Sequence, residues 1–253
     1  MRLIARIDVR NGMHIKTIKC EGVNIIRTVL ESINKFSYGD NEHDEIILID
    51  TVASLYGFNN WLLKSFDEHL YCPIPLAIGG GINSLDAAIN TLSKGADKIL
   101  INTSALDNPN ILNHISKFCG NQALVLQVDA QKIDGNYMCF THGGREKTSI
   151  KVADWIKNAE EFGVGEIHVT NINTEGTNNK FPLELAELCS INTRLPLIIS
   201  GGIRSAIQIK ELYDAFGLEA FSFSSITNLL DIQLNQLRCE LFELGIKSRC
   251  PQI

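Results

Sequence analysis

Two aspartates end apolar runs in this chain: Asp8 closes "LIARID" and Asp129 closes "LVLQVD", 121 residues further on. A carboxylate at the end of a run built for burial is costly unless that end opens on water or a ligand. Two carboxyls on opposite sides of one substrate can divide acid and base work, provided their surroundings separate their pKa values. An unperturbed aspartate titrates near ~3.9, so the proton donor must be raised by burial or by the other's charge. The plainer role for each alone is a helix cap or a lysine partner; the matched pair counts against it.

Glycine turns repeat at the same interval. "GGGI" (79–82) and "SGGI" (200–203) are again 121 residues apart. Glycine there lets backbone N–H groups approach an anion closely, and a following helix N-terminus adds a favourable field. With "INTS" (101–104) beside the first and "FSFSSI" (221–226) beside the second, the turns read as two phosphate sites. The ligand they imply is a long molecule with a phosphate at each end. Tight turns that need glycine only for the backbone are the alternative. Lys16 and Lys19 in "GMHIKTIKCEG" can clamp a phosphate or polarise a carbonyl, or simply stand solvated. Four apolar runs open on a charge: Arg2, Glu45, Lys98 and Glu166. Alternation puts Arg2 on the face of Asp8 and Lys98 on that of Asn102. Pointing inward together, the four make a neutral ring. Such a ring either stabilises one end of the fold or, with no apolar plug, admits a small polar molecule.

The elements that must position these residues alternate. Eight aliphatic or β-branched runs recur: 3–9, 45–51, 75–81, 98–104, 123–130, 166–172, 196–202 and 220–226. Their near-continuous apolar character suits parallel strands buried on both faces. Amphipathic stretches lie between most of them. "SLDAAINTLSKGAD" places Leu85, Ile89 and Leu92 on one stripe and ends at Gly95; "VADWIKNAEEFGVG" places Trp155, Ile156 and Phe162 before Gly163. Eight βα units at this length predict an α/β fold, a closed (β/α)8 TIM barrel in one domain, 1–253. The 121-residue interval also relates Glu45 to Glu166, so the barrel reads as two half-barrels, about 1–121 and 122–253. An open doubly wound sheet competes, but "DVRNGMH" is not its glycine fingerprint.

Composition narrows the function classes. A net charge of −6 argues against nucleic-acid or anionic-membrane surfaces. Apolar runs fall short of the ~20 residues that span a bilayer, and "MRLIARID" is too short and too charged for a signal peptide. Seven scattered cysteines without CxxC or paired histidines read as thiols of a reducing cytoplasm rather than metal ligands. No cofactor is called for.

With these residues in place, the chain resembles the cyclase subunit of imidazole glycerol phosphate synthase over essentially its full length. "RIDVRNGMHIK", "AIGGGINS", "GADKILINTSALDNP", "QVDAQKIDGNYMCFTHGG" and "SGGI" follow in that family's order and spacing. The resemblance implies a separate glutaminase partner that docks on the barrel floor and releases ammonia into the barrel core. At the rim, the ammonia would convert a doubly phosphorylated phosphoribulosyl-formimino aminoimidazole carboxamide ribonucleotide to imidazole glycerol phosphate and aminoimidazole carboxamide ribonucleotide. By position, Asp8 and Asp129 would be the acid–base pair and Lys16 would lie on a mobile loop. Gly80, Gly81, Asn102 and Thr103 would hold one phosphate. Glu175, Gly176, Thr177, Gly201, Gly202 and Ser225 would serve the other side. Arg2, Glu45, Lys98 and Glu166 match the family's ammonia gate. Two departures stand out. "NINTEGT" puts Asn173 and Glu175 where the family usually has aspartates, and "CEGVNIIRTVLESINKF" lacks the usual loop text. They keep a second reading open, an ammonia-conduit subunit for amidating surface-polysaccharide sugars. A third, the related sugar-phosphate isomerase barrel, has no use for a gate.

Overall fold

A computed structural model of the chain describes residues 1–56, 71–224 and 233–249. The first half runs β1 (Arg2–Arg10), β2 (Met13–Ile18), β3 (Glu21–Thr28), α1 (Val29–Ser37), β4 (Glu45–Asp50), α2 (Ala53–Tyr56), β5 (Leu76–Gly79), α3 (Leu85–Ser93), β6 (Lys98–Ile101), α4 (Thr103–Asp107) and α5 (Asn110–Cys119). The second half has β7 (Leu124–Ile133), β8 (Asn136–Thr141), β9 (Glu146–Lys151), α6 (Val152–Asn158) and β10 (Glu166–Asn171). There follow α7 (Leu183–Asn192), β11 (Leu197–Ser200), α8 (Ala206–Phe216), β12 (Ala220–Phe223) and α9 (Leu234–Glu243).

All eight apolar runs become parallel strands of one closed ring, β1–β4–β5–β6–β7–β10–β11–β12 and back to β1. The fold is therefore the expected (β/α)8 barrel. In this order β1 and β7 stand opposite each other. Four further strands were not foreseen. β1 and β7 run past the barrel and fold back as antiparallel hairpins, β1–β2–β3 and β7–β8–β9. Asn11-Gly12 and Asp134-Gly135 turn them, all four residues at positive φ, the conformation that tight two-residue hairpin loops require.

Alternation along the strands stacks the barrel interior in layers. Above the charged strand starts lies an apolar layer that includes Ile4, Ile47, Ala77, Leu100, Val125 and Ile198, all buried. Next come Arg6, Gln127, His168 and Ser222, also buried, and then the aspartates. Outside, the strands' other faces pack on the helices through the large core that holds Leu112, Trp155, Leu185 and Phe221.

Helix starts follow local chemistry. Ser84 and Ser205, again 121 residues apart, are the N-caps of α3 and α8; each side chain accepts from the backbone N–H three residues on. Both helices therefore begin right after a glycine turn. The stripe expected on α3 is corrected: Ile89 is 45% exposed, while Ala88 and Thr91 are buried and Leu85 and Leu92 only partly so. A short, polar helix presents a narrower face to the barrel than the apolar spacing implied. α6 stops at Asn158, before Gly163, and Phe162 packs on Trp155 from the turn beyond.

Candidate active site

Asp8 and Asp129 stand at the C-terminal ends of opposite strands, each almost wholly buried, and line one cavity of about 190 Å³. Gly80, Gly81, Asn102 and Thr103 line the same cavity. Four residues predicted to share an anion site are thus brought together with both acids. Asn102 Nδ2 donates to Asp129 Oδ2 at 2.9 Å and to the Phe140 carbonyl at 3.0 Å. Asp8 Oδ2 and Asn102 Oδ1 are buried with no hydrogen-bond partner among the described residues. Such acceptors are costly when left empty, and a donor on a ligand would satisfy them.

Two residues that position the acids escaped sequence reasoning. Arg6 Nε donates to Asp8 Oδ1 at 2.9 Å, and Gln127 Nε2 donates to Asp129 Oδ1 at 3.1 Å. The Arg6 guanidinium reaches across the barrel to Thr170 Oγ1 at 2.9 Å. Burial works against its charge, but the carboxylates of Asp8, Glu175 and Asp129 outweigh that and hold it above its ordinary value. Around Asp129 the balance differs. Burial pushes its carboxyl up, Arg6 and the Gln127 bond oppose, Asp8 adds to the rise, and the net shift is upward. The signal for Arg6 was present, a lone cation inside "LIARIDV".

The second glycine turn lies in a separate, tighter place. Gly176, Thr177, Gly201 and Gly202 line a cleft of about 10 Å³, room for about one water. Lys16 explains why, and corrects an expectation. It sits not on a loop but inside β2, 3% exposed, with Nζ bonded to Glu175 Oε1 at 2.5 Å and also to Ser224 Oγ. Glu175 is buried too; burial raises its pKa, but Lys16 and Arg6 outweigh this and hold it below the usual range. β2 lies directly on the turn after β10: a Cβ on Gly176 would stand 2.3 Å from the Thr17 carbonyl oxygen. The expected partner Ser225 lies outside the described residues. Asn173, half-buried, accepts from the Lys132 backbone N–H at 3.3 Å, so it ties that turn to the end of β7.

At the opposite end, all four strand-opening charges meet. Arg2 pairs with Glu45 at 3.0 Å and with Glu166; Lys98 pairs with Glu45 at 3.1 Å and with Glu166 at 2.9 Å. Each carboxylate thus bridges both cations. Burial opposes the Arg2 charge, and Glu166 and Glu45 outweigh it. The ring does carry an apolar layer immediately above it, three of whose members, Ile4, Ile47 and Leu100, stand two residues past Arg2, Glu45 and Lys98.

Among the described residues no cluster of His, Cys, Asp or Glu could hold a metal ion, and no helix is long and apolar enough to cross a membrane. A closed (β/α)8 barrel with paired acids on facing strands at its C-terminal rim defines a barrel of the kind whose chemistry sits at that rim. The family described as "Histidine biosynthesis protein" matches residues 2–226. An imidazole glycerol phosphate synthase subunit HisF from Legionella pneumophila is 41% identical over 206 residues, 80% of this chain and 95% of that one. Subunits of the same name from Chlorobaculum tepidum and Thermotoga sp. (strain RQ2) are each 32% identical, over 98% of this chain and 98% and 97% of theirs. The chain belongs to this histidine biosynthesis family, among its HisF subunits.

Proposed function

We propose that this chain is the cyclase subunit of an imidazole glycerol phosphate synthase, with Asp8 and Asp129 as its acid–base pair. Family membership supports the activity, a lyase-type step of histidine biosynthesis. The observation that carries the site is that both acids line one cavity from opposite strands. The doubly phosphorylated ribonucleotide binds with one phosphate at Gly80, Gly81, Asn102 and Thr103. The other goes to the turn of Gly176, Thr177, Gly201, Gly202 and Ser225, once β2 lifts and Lys16 exchanges Glu175 for the ligand's charge. One acid removes a proton as ammonia adds; the other protonates the nitrogen that leaves.

Relatives named as subunits support a partner chain. A glutaminase docks at the floor, and Arg2, Glu45, Lys98 and Glu166 form the gate through which its ammonia enters. The apolar layer above the ring counts against this unless its side chains part, and what supports the gate is the match of all four residues to the family's. The enzyme works in the cytoplasm. The conduit and isomerase readings draw no support from the three relatives described above, each named as a synthase subunit.

The test is turnover of the ribonucleotide with ammonium salt, followed by absorbance. Activity in the wild type and its loss in Asp129→Asn are expected. Absence of turnover in correctly folded wild type overturns the reading.

A further inference from the structure

The two halves of the barrel are alike in layout and unlike in charge. Arg6 and Gln127 are separated by the same 121 residues as Asp8 and Asp129. Each precedes its aspartate by two residues, on the same inward face, and each donates to that aspartate's Oδ1. One donor is a permanent cation, the other a neutral amide. We propose that Arg6, set against Gln127 in the equivalent place, is the positioning residue that makes Asp8 the proton acceptor and Asp129 the proton donor. This rests on the acid–base reading above and adds which acid does which work, and what decides it.

The geometry fixes Arg6 to one side. Its Nη1 bonds to Thr170 on β10, with Ser200 on β11 at 3.5 Å, so the guanidinium cannot turn to Asp129 without leaving them. To take a proton, Asp8 must give up a charge-assisted hydrogen bond; Asp129 gives up only amide bonds. Arg6 also acts on Asp129 through space, but it makes no hydrogen bond to that carboxyl. Asp50 and His142, which line the same cavity, are engaged by the Val52 and Ala53 N–H groups and by Glu146. Cys20, from the turn between β2 and β3, lines the cavity with Asp129, while Cys139 on β8 packs beside Ala130 in the outer core; burial pushes both thiols up, Cys139 to about 12, so they carry no charge near neutrality. Lys16 is occupied by Glu175. A single proton shared by the two acids therefore resides on Asp129. During turnover Asp8 takes a proton from the attacking nitrogen and Asp129 gives its own to the departing amine. The pair ends with the proton on the other partner and resets by exchange with cavity water.

Carboxyl ¹³C NMR of aspartate-labelled protein reads this directly, with the two resonances assigned through Asp8→Asn and Asp129→Asn. On acidification of the wild type, Asp129 protonates first; Asp8 protonating first, or both together, overturns the proposal. In Arg6→Gln the halves become alike and the separation between the two protonation steps closes. The pH–kcat profile loses a limb in step, and Arg6→Lys restores both readouts. An Arg6→Gln protein with unchanged order and profile also overturns it. Should that variant not fold, the wild-type and Arg6→Lys titrations still decide. The NMR order does not depend on turnover, so a failed cyclase assay with the expected order rejects the function and not the charge assignment.

Discussion

At the scale of single residues, burial without a hydrogen-bonded cation sets Asp129 apart, its donors being the Asn102 and Gln127 amides. Asn at either acid position keeps the shape and removes the proton chemistry, so Asp8→Asn and Asp129→Asn should each lower kcat by roughly 10²–10⁴-fold. Thermal unfolding distinguishes the causes: a variant that melts normally and does not turn over has lost chemistry. Gly80 is required for a different reason. Its φ is +95°, and a Cβ there would stand 2.2 Å from the Asp50 carbonyl oxygen. That oxygen is backbone at the end of β4 and cannot step aside. Gly80→Ala should therefore cost at least about 1–3 kcal/mol in denaturant unfolding, and weaken binding of inorganic phosphate at the first turn. A variant as stable as the wild type contradicts this.

At the scale of elements, the sequence was most legible where structure is decided locally. The eight strands could be read because each is a continuous apolar run, and the glycine turns because "GGGI" and "SGGI" repeat 121 residues apart. The hairpins were missed although Asn11-Gly12 and Asp134-Gly135 announce them. "MHIKTI" and "EKTSIK" mix charge with β-branched residues and lack the buried-strand signature. Lys16 was illegible for a harder reason: its partners Glu175 and Ser224 are 159 and 208 residues away. Only the closed barrel brings them together. That pair fastens β2 over the second turn, and both side chains are buried. Removing one partner strands a buried charge, a loss of roughly 3–5 kcal/mol. Lys16→Met should therefore melt well below the wild type, and Lys16→Met with Glu175→Gln should recover most of the difference. If single and double variants melt alike, the pair does not hold the hairpin down.

For the whole molecule, the barrel's two ends make separable demands. With the floor ring as the proposed entrance, loss of one of its members should affect passage along the axis more than chemistry at the rim. Lys98→Met should keep turnover with ammonium salt and lose glutamine-driven turnover several-fold when the glutaminase is present; an equal loss of both refutes an entrance. Stability depends on pH for a different reason. His14, His43 and His168 are fully buried, and burial keeps each neutral, the first two with pKa values lowered to about 3 and His168 well below its ordinary value. Their native pKa values lie below the unfolded value near ~6.5, so under that pH the unfolded chain binds more protons than the fold does. Stability must then fall as pH falls, starting near 6.5, by about 2 kcal/mol for each imidazole by about pH 5. Among the carboxyls, Glu175, held down, adds to the loss in a lower window, while Asp129, pushed up, opposes it wherever it titrates. A loss that is already large between about pH 6.5 and pH 5 therefore belongs to the histidines. Urea midpoints at the two pH values measure it, and equal midpoints would show that the core admits the protonated rings.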